Sequence, residues 1–146
     1  MSKTWKSVEL RLARMFGTNR TPLSGGNSRH TRSDTLHPRL FIELKHGNSS
    51  AITTMWETWS KDTCVLIKSH GTVLTMLHTD NIKKSATRLI EIERKNFGAI
   101  TLYNSTVELA ILEDKIPVVA LHKKGTKGFL FIAKTTDYEH IRKELV

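Results

Sequence analysis

A chain of 146 residues with 38% hydrophobic and 25% charged side chains is long enough for one core and too apolar for a disordered chain. Its 23 lysines and arginines exceed 14 acids for a net charge of +9, and residues 1–40 hold eight of those bases against two acids, a field that suits a polyanionic partner. The single cysteine, Cys64, excludes an intrachain disulfide and fits a reducing, cytoplasmic compartment; no apolar run nears the roughly 18 residues of a membrane span, and "MSKTWKSVELRLARMFG" has charges where a signal peptide needs its apolar centre.

In chain order, the first element reads as a helix. Trp5, Val8, Leu12, Met15 and Phe16 share one face, Ser2 or Thr4 can cap it, and Gly17 ends it. Glu9 has Trp5, Leu12 and Phe16 as neighbours at i−4, i+3 and i+7, which sets a carboxylate on or beside the buried stripe. "TNRTPLSGGNSRHTRS" (18–33) then reads as a loop. Gly25 and Gly26 would let its backbone approach a ligand, and Arg20, Arg29, Arg32 and Arg39 on or beside it suit phosphate.

"LFIELK" (40–45) reads as a strand with Leu40, Ile42 and Leu44 on one face and Phe41, Glu43 and Lys45 on the other. "SSAITTMWETW" reads as a short helix that buries Ile52, Met55, Trp56 and Trp59. Residues 64–84 and 117–143 share the order strand, glycine turn, strand, aspartate, helix, a weak internal repeat. Between them we expect a helix through Ala86, Leu89 and Ile90 that Gly98 terminates, and a second helix capped by "STVE" at 105–108.

A carboxylate and an ammonium two residues apart on one strand face lie about 6 to 7 Å apart. Asp34 and Glu43 offer a hard cation the few carboxylates that Mg²⁺ takes alongside water, and Lys45 is placed to orient an attacking water or to offset charge on a phosphate. Glu-x-Lys alone usually marks a solvated face. Its conjunction with an upstream acid that a hairpin can return, a helix acid, a glycine- and arginine-rich loop and a basic chain is what points to phosphodiester chemistry. The seven histidines lack metal-ligand spacing and do not suggest a zinc nuclease.

Glu9 followed by "TPLSGGNSRHTRSDTLHPRLFIELK" resembles the PD-(D/E)xK nuclease superfamily, and within it the small Holliday junction resolvase-like nucleases. The resemblance is close over residues 5–60 and returns at "KIPVVALHKKGTKGFLFIAK". It implies a restriction-endonuclease-like α/β fold, a central mixed sheet flanked by helices. It further implies that Glu9, Asp34 and Glu43 are metal ligands and that Lys45 is the motif lysine. His37 and the loop around Ser24, Gly25 and Gly26 match the resolvase-like pattern too, whereas Asp34 follows serine rather than proline.

The expected activity is a Mg²⁺-dependent DNA endonuclease, with Mn²⁺ able to substitute, acting on branched DNA as a homodimer. Arg20, Ser24, Gly25, Gly26, Arg29 and Arg32 would contact the DNA. Relative to compact members of that superfamily, residues 62–104 are an insertion into a single domain. The competing readings are a sequence-specific homing or restriction-type enzyme and a nucleic-acid-binding module without turnover.

Overall fold

The computed structural model describes residues 5–22, 31–58, 63–69, 71–83, 88–93 and 98–146. Helix α1 (Trp5–Met15) precedes strand β1 (Leu40–Gly47) and helix α2 (Ser50–Thr58). Strands β2 (Thr63–Ser69) and β3 (Thr72–His78) lead into the short helix α3 (Thr79–Lys83) and strand β4 (Arg88–Glu93). Helix α4 (Gly98–Leu112), strands β5 (Ile116–Lys123) and β6 (Leu130–Lys134), a 3₁₀ turn (Thr135–Asp137) and helix α5 (Tyr138–Glu144) complete the order. No helix among the described residues is long and apolar enough to cross a membrane.

The six strands form one mixed sheet in the order β1-β5-β6-β3-β2-β4. Its outer pairs, β1 with β5 and β2 with β4, are parallel, and the three inner interfaces are antiparallel. The two hairpins suspected of repeating each other therefore sit back to back across the β6–β3 interface. Within residues 62–104, expected as an insertion, β2, β3 and β4 supply three of the six strands and are integral to the sheet.

Alternation along the strands splits the core between two faces. On one, Val8 and Leu12 of α1, Phe16 just after it, and Tyr138 and Ile141 of α5 cover Leu40, Ile42, Val118, Ala120 and Phe131. On the other, Met55 of α2 and Ala99 and Tyr103 of α4 cover Val65, Ile67, Val119, Leu121 and Ile132. The helical stripe expected of α1 holds for Val8, Leu12 and Phe16, but Trp5 stays about half exposed at 48%. Trp59 and Ala86 lie outside the described residues.

Two expectations need correction. Residues 88–93 are a strand: in "RLIEIE" Ile90 and Ile92 turn inward while Leu89 and Glu91 are exposed, a period of two that outweighs the apparent helical spacing. Gly98 opens α4 instead of ending a helix, and "STVE" lies in mid-helix. There Ser105 and Thr106 donate their hydroxyls back to the carbonyls of Thr101 (3.1 Å) and Leu102 (2.9 Å), so the side chains that would have capped a start bond within the helix.

The turn joining β5 to β6 is pinned at Gly128. Its φ is +78°, and a Cβ there would come within 2.6 Å of Thr79 Oγ1 and 2.7 Å of the His78 ring. Gly128→Ala is expected to lower stability by about 1–2 kcal/mol or more, read as a reduced urea midpoint at unchanged m-value.

Candidate active site

The cleft is built along the outer edge of β1. Residues 33–35 lie beside β1: the Asp34 amide donates to the Ile42 carbonyl (2.9 Å), and Ser33 Oγ accepts from the Ile42 amide (2.9 Å) and donates to its carbonyl (3.2 Å). On the outer side, Thr21 donates its amide to the Asp34 carbonyl (3.1 Å) and its hydroxyl to the Ser33 carbonyl (2.6 Å), next to an Arg20–Thr35 bridge. Thr31, Ser33, Thr35 and His37 are buried in alternation, so this stretch is an extended segment held by hydroxyl hydrogen bonds. Asp34 thereby returns to Glu43 as the hairpin expectation requires, and its Oδ2 accepts the Leu44 amide at 2.7 Å.

A cleft of about 290 Å³ opens where this segment, β1 and α1 meet, lined by Trp5, Glu9, Asp34, Glu43, Leu44, Lys45 and His46. All four residues singled out for catalysis, Glu9, Asp34, Glu43 and Lys45, reach it from three separate parts of the chain. Lys45 Nζ stands 3.3 Å from Glu43 Oε1. Among the described residues, no three His, Cys, Asp or Glu side chains close into a ready-made ligand cage. The acids share a cleft with room for a cation that keeps part of its water shell, the usual habit of Mg²⁺.

The three carboxyls hold their protons more tightly than free ones. Burial raises Glu9, only 7% exposed, with Glu43 adding repulsion against the opposing pull of Asp34 and Arg20. Asp34 is pushed up to about 6, mainly by burial and then by the Glu9 charge and a hydrogen bond with Glu9, against the Leu44 amide. Glu43 is raised by burial and by Asp34, partly offset by Lys45. Glu9 Oε1 is buried without a hydrogen-bond partner, since Arg20 Nε reaches it only at 3.6 Å. Carboxyls crowded in a half-buried cleft, with one oxygen left unsatisfied, are an arrangement that a cation would relieve.

The residues expected to meet DNA fare differently. Arg20 is half buried, paired with Glu9 and stacked 5.7 Å from the Trp5 ring centre, so it serves the acid cluster first. Arg32 is exposed and fixed through its amide, which donates to Glu113 Oε2 at 3.0 Å. Arg39 is committed to Glu144 by two short contacts, 2.5 and 2.6 Å. Ser24, Gly25, Gly26 and Arg29 lie outside the described residues. His37 is structural: Nδ1 accepts the amides of Arg39 and Leu40, each at 3.0 Å, and Nε2 meets Glu144 at 3.1 Å, tying the start of β1 to α5.

Reading the sequence alone passed over Trp5 as a cleft residue and His46 altogether. His46 directly follows the Glu-x-Lys triplet, but its partner His122 becomes visible only once β1 and β5 pair in register. No family model matches the chain, nor does any curated protein or solved structure.

Because the Asp34 proton is held up to about 6 in the fold against an ordinary 3.8, its contribution to stability is full below about pH 3.8 and lost as pH rises through 6. In metal-free buffer at pH 8, Asp34→Asn is therefore expected to exceed the wild type in stability by on the order of 1–3 kcal/mol. The gain should vanish near pH 4, as checked by thermal melts at both pH values.

Proposed function

We propose that the protein is a divalent-metal-dependent DNA endonuclease of the restriction-endonuclease-like, PD-(D/E)xK type, with a resolvase-like preference for branched DNA. The observation that carries this reading is the convergence of Glu9, Asp34, Glu43 and Lys45 on one cleft at the sheet edge. The finer fold assignment rests on α1 packed against β1, the Asp34 segment running alongside β1, and the parallel neighbour β5.

Glu9, Asp34 and Glu43 would hold Mg²⁺ or Mn²⁺, which when bound supplies positive charge to a phosphate and eases deprotonation of water. Their raised proton affinities mean that binding displaces protons, so affinity increases with pH. Lys45, held 3.3 Å from Glu43 and half exposed, orients the attacking water and offsets the charge that grows on the phosphate. Trp5 at the rim offers an aromatic face, and the chain's +9 charge draws a polyanion towards the cleft. Cutting both strands symmetrically calls for two clefts, hence a homodimer, acting on DNA in the cytoplasm.

Synthetic four-way junctions and linear duplex of the same sequence, digested with and without Mg²⁺, test the reading. Cleavage of the junction is expected, with Asp34→Ala and Glu43→Ala each slower by about 100-fold or more while junction binding in a gel-shift assay persists. Undiminished cutting by both variants would remove the site, and cutting of a defined linear sequence alone would replace the junction preference with a restriction-type one.

A further inference from the structure

The cleft has a second wall that the metal-and-lysine chemistry leaves unused. Lys45 and His46 are consecutive on β1 and project to opposite faces of the strand, yet both line the cleft. His46 is not a solitary ring. Its Nδ1 lies 2.7 Å from Nδ1 of His122, its register partner on β5, and the two rings stack with centres 4.8 Å apart. His122 is 2% exposed, flanked by the Trp56 and Phe129 rings, and its Nε2 faces the Thr126 carbonyl at 3.0 Å and Arg11 Nη2 at 3.1 Å.

A contact between two ring nitrogens at this distance needs one hydrogen between them. It commits Nδ1 of His46 to His122 and leaves Nε2 as the nitrogen that can meet a ligand in the cleft. The two neighbours of His122 Nε2 ask for opposite states: the Thr126 carbonyl accepts a hydrogen from it, whereas the donor-only guanidinium of Arg11 disfavours a charged ring. The pair thus points one ring nitrogen, His46 Nε2, at the cleft and holds the other three on protein groups.

We propose that His46, backed by His122, is a further catalytic residue that delivers the proton to the oxygen leaving phosphorus. This rests on the nuclease reading above. In-line displacement puts the attacking and departing oxygens on opposite sides of phosphorus, matching Lys45 and His46 on opposite faces of one strand. As the oxygen of a hydroxide, whose proton has already passed to solvent, bonds to phosphorus, the bond from phosphorus to the sugar oxygen breaks and its electron pair goes to that oxygen, which takes the hydrogen from His46 Nε2. The hydrogen between the rings stays on His46 Nδ1, where His122 Nδ1 accepts it, and His122 remains neutral throughout with its Nε2 hydrogen on the Thr126 carbonyl. The pair goes from one positive charge to neutral and regains its proton from solvent. His122 and Arg11 are positioning residues in this scheme.

Replacing the departing bridging oxygen by sulfur removes the need for that proton, because a thiolate leaves unaided. The cleaved bond is first located from the product ends, and wild type, His46→Asn and His122→Asn are then compared on oxygen and sulfur substrates, with His46→Gln as a second variant should His46→Asn fail to fold. His46→Asn is expected to cut the oxygen substrate about 100-fold more slowly and the sulfur substrate within about threefold of wild type, with a smaller loss of the same pattern in His122→Asn. Equal loss on both substrates, or no loss on either, overturns the role of His46 while leaving the nuclease reading in place. A wild type that cuts neither substrate overturns that reading, and this proposal with it.

Discussion

The site depends on how a polar segment is held along the edge of β1. Ser33 bonds both backbone groups of Ile42, the Asp34 amide doubles the contact to the same carbonyl, and Asp34 Oδ2 takes the Leu44 amide. One carboxylate oxygen is thus spent on positioning, which fixes the Asp34 side chain beside Glu43 and opposite Glu9. Without the clasp, Asp34 would belong to a loop, and an unpaired β1 edge would be open to another chain. The same bonds settle the architecture and the electrostatics of the cleft.

That arrangement costs stability, and its charge pattern suggests why it is retained. Three carboxyls driven towards their neutral forms by burial and mutual repulsion, beside a lysine and an arginine too few to neutralise them, are a poor way to stabilise a fold. Two buried polar groups away from the cleft are fully satisfied. His37 uses both ring nitrogens, and the buried Tyr138 hydroxyl meets the carbonyls of Thr75 (2.9 Å) and Phe131 (2.5 Å). The contrast between these complete networks and the strained cleft is the physical basis for reading the cleft as functional.

Much of this was legible in the residues themselves. The hydrophobic periods of α1, β1 and the two hairpins, and the odd placement of Glu9 on an apolar face, survive in the structure because they depend on local burial. The return of Asp34 alongside β1 is legible as a hairpin, but the extended course of 31–33, which reads as loop, is not: the inward residues of 31–37 are Thr, Ser, Thr and His, which give no apolar alternation although they are buried every second position. The sequence of β4 reads as helix because Leu89, the residue that completes the helical spacing, is exposed on the outermost strand. The His46–His122 pair could not be read at all, since it depends on the parallel register of strands 76 residues apart.

The central claim is that these acids enclose a place for a divalent ion, and the most direct measurement is anomalous diffraction from crystals soaked in Mn²⁺. The account predicts a single dominant manganese peak in the cleft, within bonding distance of Asp34 and Glu43 and facing Glu9. A cleft without manganese, or one with the Asp34 and Glu43 side chains turned away from each other, would contradict it.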